Sequence, residues 1–301
     1  MSNLKEIRSR IASVKSTQQI TSAMKMVSAA KLRRSQGAIV KLRPYSKRMS
    51  EIMSKVGSAV SSDMPLARKE KDLQNVLLVA LTSNKGLCSV FNSSIIKLTK
   101  QRIDYYKDLG KNIFLVSYGK KGDTAFRKLN GINYIGTNDD IWDSLTFKQT
   151  NIEADKLIKA FQGKKYDKIE IIYNQFKNAA TQIPTIENFL PVEQSEDENK
   201  QIEKQTQLAS EQKKKYLNDY IFSPSKQEIV DNVIPQSLKT QFYKCFLDSF
   251  TSEHGARMSS MNKATDNAQE LLKELTLTYN KRRQADITNQ IIEVSNGANA
   301  I

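Results

Sequence analysis

The first sixty residues carry apolar side chains at the spacing of an amphipathic helix. One set steps by three, four and three residues: Leu4, Ile7, Ile11 and Val14. After Gln18 the pattern predicts a shift of phase, and the same steps resume in a second set: Ile20, Ala23, Val27 and Ala30. Residues 1–58 are therefore predicted to form one long helix that packs along another helix. Pro44 should bend it.

The last eighty residues carry a second and longer pattern of the same kind. Steps of three and four residues join its medium and large side chains: Met258, Met261, Thr265, Ala268, Leu272, Leu275 and Tyr279. We predict a C-terminal helix over residues 225–296, with Ser225 as its N-cap. At 1.5 Å per residue it would be ~100 Å long, more than a small domain can enclose. The simplest arrangement pairs the two terminal helices as an antiparallel coiled coil.

The middle of the chain alternates between short apolar runs and helical patterns. Runs typical of buried strands occupy 75–82, 112–118 and 166–176, with weaker ones at 133–135 and 181–192. Helical spacing occupies 91–110 and 147–162. This order predicts an inserted α/β, Rossmann-like domain over residues 72–192. Residues 193–220 are rich in charges of both signs, which indicates a charged insertion or loop, or a short exposed helix.

Charge is concentrated in the first helix. The chain has a net charge of +15. Residues 1–60 hold 13 Lys and Arg against two acids, whereas the acids and bases of residues 225–301 balance. Such a basic stripe favours an acidic partner, which could be nucleic acid, anionic lipid or an acidic protein surface.

Motifs for catalysis or cofactor binding are missing from the sequence. The two cysteines, Cys88 and Cys245, are far apart, and the single histidine, His254, excludes a multi-histidine metal site. Residues 119–122, Gly-Lys-Lys-Gly, resemble the backbone clamp of RNA-binding KH domains, but the pattern favours a plain turn after a strand. The turn at residues 84–86 could likewise bind an anion or simply connect a strand to a helix. We therefore expect no enzyme activity, no cofactor and no metal.

Two long segments resemble the gamma chain of rotary ATP synthases. IRSRIASVKSTQQITSAMKMVSAAKLRRSQ, residues 7–36, is similar to that family's N-terminal helix, and residues 252–294 are similar to its C-terminal helix. LTSNKGLCSVFN, residues 81–92, and DYIFSPS, residues 219–225, also resemble family segments. The chain departs from the family pattern at Asn84, at Ser89-Val90 and at Gly255, where alanine is usual.

The resemblance implies a central-stalk rotor subunit that catalyses nothing itself. Its coiled coil would turn inside a ring of alpha and beta chains, and its α/β domain would meet the epsilon chain and the membrane c-ring. Proton flow would then drive ATP synthesis through rotation. The resemblance also places six residues at the contact with the ring: Met24, Lys25, Arg257, Gln269, Glu270 and Arg282. The basic neighbours of Met24, including Lys31, Arg33 and Arg34, would face acidic loops of beta.

Two other classes of protein compete with this interpretation. A nucleic-acid-binding coiled coil would use the basic first helix, but Tyr45 is the only aromatic residue among the first sixty, so stacking on bases is not expected. A structural homodimer would satisfy the heptads and leave the α/β domain without a role. No predicted membrane span or signal peptide is present, and we expect a peripheral protein on the cytoplasmic side of a bacterial cell inner membrane.

Overall fold

The computed structural model describes residues 4–57, 66, 73–192 and 226–299. It begins with helix α1, Leu4–Gly57, and ends with helix α5, Lys226–Asn299, which run antiparallel to each other. The prediction of two long terminal helices is confirmed, and α1 continues through Pro44. The charged segment 193–220 and the proposed N-cap Ser225 lie outside the described residues.

Within the described residues between the terminal helices lie five strands and three further α-helices. The strands are β1 Asn75–Leu81, β2 Asn112–Tyr118, β3 Asn133–Thr137, β4 Lys168–Phe176 and β5 Gln182–Leu190. The helices are α2 Phe91–Asp108, α3 Lys120–Phe126 and α4 Phe147–Gln162, with one 3-10 turn at Asp140–Trp142. Each strand and helix expected in the middle of the chain is present, within a few residues of its predicted bounds.

The strands form one sheet in the order β3-β2-β1-β4-β5. The first four are parallel, and β5 pairs antiparallel with β4 because only five residues connect the two. Helices α2 and α3 cover one face, and α4 and α5 cover the other. Because both faces of β1 are buried, its sequence is a continuous apolar run rather than an alternating one.

Helix α5 belongs to the core of the α/β domain as well as to the coiled coil. Phe242 and Phe246 are fully buried against the sheet. The ring of Phe246 lies 5.0 Å from that of Tyr118 and 5.2 Å from that of Trp142. Such aromatic contacts add to the free energy gained by burial. The first third of α5 is therefore fixed to the α/β domain. We call the α/β domain and this part of α5 together the head.

The second half of α5 pairs with α1 along the predicted seam. All seven seam residues named above are buried or half-buried. The Thr265 hydroxyl donates a 2.9 Å hydrogen bond to the Thr21 hydroxyl, which fixes the register of the two helices. Small and polar side chains at this level let the helices approach closely.

The predicted phase shift in α1 is wrong. Ile20 and Val27 are 58% and 59% exposed, and Ala23 and Ala30 are also exposed. The buried seam instead keeps its original steps through mostly polar positions: Gln18, Thr21, Lys25, Ser28, Leu32 and Ser35. The spacing of apolar residues predicted the wrong face of α1 as the seam. The face that packs against α5 carries mostly small or polar side chains instead of large apolar ones. The four displaced residues form an exposed apolar row on the outside of α1, which we call the outer row.

Truncating Phe246 tests how strongly α5 is anchored to the sheet. Phe246→Ala should lower the free energy of unfolding by about 3–5 kcal/mol, because it removes a fully buried ring and leaves a cavity. Urea unfolding followed by circular dichroism measures this loss. Leu277→Ala on the same helix removes an exposed side chain and should change stability by less than about 0.5 kcal/mol. Equal effects of the two substitutions would contradict the anchoring.

Candidate functional site

The carboxyl edge of the sheet is the first candidate for a ligand-binding site. Strands β1 and β4 are parallel neighbours, and the crossover helices α2 and α4 lie on opposite faces. In open α/β sheets such a topological switch point leaves a crevice outside the strand ends, where nucleotides and other ligands bind. What fills this crevice therefore decides whether the domain can act as a binding domain.

Here α5 fills the crevice. The Ser252 hydroxyl donates a 3.0 Å hydrogen bond to the carbonyl oxygen of Asn174, at the end of β4. The Arg257 guanidinium donates 3.0 Å and 3.3 Å hydrogen bonds to the carbonyl oxygens of Lys85 and Gly86, in the turn after β1. A side chain at Gly255 would place its Cβ 3.2 Å from the backbone of Ala179, so the helix can approach the β4–β5 turn this closely because residue 255 is glycine.

A buried ion pair lies at the same junction. Arg257 donates a 2.7 Å hydrogen bond to Glu253 one turn earlier, and the two residues are 6% and 7% exposed. Burial raises the pKa of Glu253, and the Arg257 charge opposes that rise. Desolvation, with the positive charges of Arg257 and Lys31, lowers the pKa of His254 to about 3. His254 is therefore neutral at physiological pH, packed edge-on against the ring of Phe250.

The Gly-Lys-Lys-Gly turn has a packing explanation. Gly119 has φ of 120°, and a Cβ there would lie 2.3 Å from the carbonyl oxygen of Thr82. The Gly122 amide donates a 2.9 Å hydrogen bond to the Thr82 hydroxyl, and Lys120 forms a 3.2 Å ion pair with Asp139. Asn84 connects the same loops by accepting from the Lys120 amide and donating to the Asp139 carbonyl. These contacts support the plain turn over a nucleic-acid clamp.

The surface of the coiled coil is the second candidate, and it holds five of the six predicted contact residues. Met24 and Lys25 are half-buried on α1, and Gln269 and Glu270 are exposed on α5. Arg282 is half-buried at the seam position that follows Tyr279. The Thr21–Thr265 register places all five on the part of the coiled coil that extends from the head toward the N-terminus of α1.

Arg257 does not belong to this surface. The sequence resemblance placed it at the ring, but its guanidinium is buried within the chain between Glu253 and the turn after β1. A side chain that is 8% exposed in the isolated chain has almost no surface left for a partner. We therefore correct its assignment to a residue that joins the head to the coiled coil.

Two exposed apolar surfaces were not recognised from the sequence. The outer row on α1 is one. The other is the C-terminal tip, residues 283–299, because Leu4 lies level with about residue 282 in the Thr21–Thr265 register and α1 cannot accompany α5 any further. The tip exposes three apolar side chains: Ile287, Ile291 and Val294. Their spacing of four and three residues could have identified this apolar helix face from the sequence. None of the described helices is long and apolar enough to cross a membrane.

Removing the positive member of the buried pair should be costly. Arg257→Met leaves the Glu253 carboxylate buried without its ion-pair partner and should lower the free energy of unfolding by about 3–5 kcal/mol at pH 7. Because that carboxylate would then hold a proton more tightly in the folded than in the unfolded state, part of the loss should be recovered as pH falls toward 5. Urea unfolding at several pH values measures both effects.

The matched control for Arg257→Met is the double variant Glu253→Gln/Arg257→Met. It removes both charges, so it should be more stable at pH 7 than the single variant and should lose the pH-dependent recovery. If the single and double variants had the same stability at every pH, the ion pair would not be what stabilises this junction.

Comparisons with known proteins agree on one family. The ATP synthase family model matches residues 3–301. The ATP synthase gamma chain of Flavobacterium johnsoniae is 50% identical over 302 residues, covering 100% of this chain and 99% of its own length, and that of Cytophaga hutchinsonii is 43% identical over 308 residues.

Solved structures show the same fold. The mitochondrial ATP synthase of Euglena gracilis, in an assembly of OSCP, F1 and c-ring, contains a chain with a TM-score of 0.64 and 20% identity, covering 99% of this chain and 94% of that one. A chain of the central stalk and c-ring of the Tetrahymena thermophila enzyme has a TM-score of 0.56 and 24% identity, covering 81% and 99%. With the family match along the whole sequence, these findings show that the chain belongs to the ATP synthase gamma-chain family.

Proposed function

We propose that this chain is the central rotor of an F-type ATP synthase. Its coiled coil turns inside the ring of alpha and beta chains, and its head stands on the membrane c-ring beside the epsilon chain. The observation that carries the proposal is the sharing of α5, which is packed into the sheet over residues 234–250 and into the coiled coil over 258–282. A twist applied to the head must therefore reach the coiled coil.

The rotor performs no catalysis and acts through differential contacts. A two-helix coiled coil is asymmetric, so three beta chains arranged around it meet different surfaces at any moment. Each rotor angle favours one nucleotide affinity at each site, and turning the rotor shifts those populations in sequence. The filled crevice at the sheet edge agrees with this role, because the head needs no ligand site of its own.

The contact surface that we propose combines charge with exposed apolar area. Met24, Lys25, Gln269, Glu270 and Arg282 contact the ring. The exposed side chains of Lys31, Arg33 and Arg34 favour acidic loops of beta. The outer row and the tip supply apolar area without a partner in the isolated chain. Surfaces of this kind mark places where other proteins bind.

We place the complex in a bacterial cell inner membrane, with this chain on its cytoplasmic side. The 50% identity to the gamma chain of a bacterium, Flavobacterium johnsoniae, supports this location. The chain belongs to the central stalk and is peripheral to the membrane, so its attachment to the membrane depends on the other subunits. The competing nucleic-acid function has no support from the comparisons or from the packed Gly-Lys-Lys-Gly turn.

Co-purification tests the proposal. Tagged chain isolated from native membranes should bring down alpha, beta and epsilon chains, identified by mass spectrometry, and the sample should hydrolyse ATP. Recovery of nucleic acid without these chains and without ATPase activity would overturn the rotor function and favour the basic-helix alternative.

Charge reversal at the proposed contact surface should uncouple the enzyme without unfolding the chain. Lys25→Glu and Arg282→Glu place a negative charge opposite acidic loops, so ATP synthesis driven by a proton gradient should fall several-fold, since a close like-charge contact costs about 1 kcal/mol or more. The measurement is ATP synthesis by membrane vesicles that contain equal amounts of assembled enzyme. The same measurement applies to substitutions at the other three contact residues: Gln269→Ala, Glu270→Lys and Met24→Ala.

The matched control is Lys100→Glu, which reverses an exposed charge on α2 of the head, away from the coiled coil. It should leave coupled synthesis within the error of the wild type. Wild-type synthesis by all five contact variants would refute the proposed contact surface, although the rotor function would still stand on co-purification.

A further inference from the structure

A cavity of about 100 Å³ lies where α1, β4 and α5 meet. Its lining includes one apolar and one basic residue from α1, two residues from the end of β4 and two charged residues of α5: Ile39, Arg43, Gln175, Phe176, Lys244 and Asp248. The cavity is at the level where the coiled coil joins the head. Apolar side chains form much of the wall, but its volume and its charged side chains suit a few water molecules.

Asp248 is the unusual member of this lining. Its residue is 7% exposed, yet no hydrogen bond or ion pair to its carboxylate is found among the described residues. The other buried carboxylates of the described residues have direct partners: Glu253 binds Arg257, Glu170 accepts hydrogen bonds from Arg102 and Tyr106, and Asp167 accepts from two backbone amides. A buried carboxylate without a direct partner is costly when ionised and much less so when protonated.

The groups around Asp248 come from every element that packs against it. Arg43 on α1 and Lys244 on α5 supply positive charge, and Glu187 on β5 supplies negative charge. Lys244 is itself 3.7 Å from Glu187. Tyr173 on β4 and Cys245 on α5 are also electrostatically coupled to Asp248, and burial raises the pKa of both, so they stay neutral at physiological pH.

Burial outweighs the two positive charges and raises the pKa of Asp248 to about 6. A raised pKa means that the closed junction binds a proton more tightly than an opened, hydrated one. Closure is therefore favoured at low pH and becomes less favourable as pH rises from about 4 through 6. The chain's one histidine does not obscure this range, because the pKa of His254 is about 3.

We propose that Asp248 makes the junction between coiled coil and head sensitive to protons. Uptake of a proton favours the packed junction between α1, β4 and α5 seen here, and loss of the proton favours a more hydrated junction in which α1 packs less tightly against the head. In the assembled rotor this would make the joint stiffer in an acidic cytoplasm. The inference concerns the chain's own packing and stands whether or not the contact surface proposed above is correct.

Hydrogen exchange of the full-length chain tests the proposal. Peptides covering residues 36–46 and 242–250 are followed by mass spectrometry from pH 5 to pH 8, with rates corrected for the intrinsic pH dependence of amide exchange. Two-state proton linkage between a pKa of about 6 in the closed junction and an ordinary value near 3.9 in the open one predicts about tenfold more frequent opening at pH 8 than at pH 5.

Two variants isolate the carboxylate. Asp248→Asn keeps the shape and removes the titration, so opening of both peptides should become independent of pH. Asp104→Asn, an exposed residue on α2, should behave like the wild type. A wild-type chain without pH dependence, or an Asp248→Asn chain that retains it, would overturn the proposal.

A direct titration keeps the proposal testable if Asp248→Asn does not fold. Carbon NMR of wild-type chain labelled at the aspartate carboxyl groups should show one resonance with a midpoint well above the others, near pH 6, and this resonance should be shifted when Arg43 is replaced by Gln. If every aspartate titrated near pH 4, Asp248 would be ionised throughout the physiological range, and the proton-sensitive joint would be excluded.

Discussion

One helix has to satisfy two different partners, and the rest of the structure depends on this constraint. The aromatic residues of α5 lie under the sheet, whereas its later residues form a thin seam with α1. No loop separates these two parts within Lys226–Asn299. Backbone hydrogen bonds therefore continue from the head into the coiled coil, and the helix resists twisting at the junction as it does elsewhere.

The same constraint explains how a Rossmann-like sheet exists here without ligand chemistry. The crevice at the carboxyl ends of β1 and β4 is occupied by residues 252–257, and Arg257 donates hydrogen bonds to the carbonyl oxygens of the turn after β1. Fold alone does not determine function. In this chain the site where ligands usually bind has become the joint between head and coiled coil.

The sequence predicted the elements well, because strand and helix periods are local properties of the chain. It failed where packing depends on two helices at once. Ile20 and Val27 have the right spacing for a seam, but the buried side is chosen by small residues opposite Thr265, which no single-helix pattern reveals. Arg257 looked like a surface charge because its partners, Lys85 and Gly86, are about 170 residues away in sequence. Asp248 could not be distinguished from an exposed carboxylate, because it is buried against residues of α1 and β4 that are far away in sequence.

Torque should pass between head and coiled coil through the uninterrupted α5 helix. The most direct measurement attaches a bead to the head through Lys97→Cys, an exposed position on α2, and follows its rotation on surface-fixed assemblies with alpha and beta chains during ATP hydrolysis. A second assembly carries Ser259→Pro and Ser260→Gly, which interrupt the helix just beyond the joint. We expect steady one-way rotation with intact α5 and a clearly lower torque with the interrupted helix at equal ATPase rates. Equal torque from both assemblies would contradict this expectation.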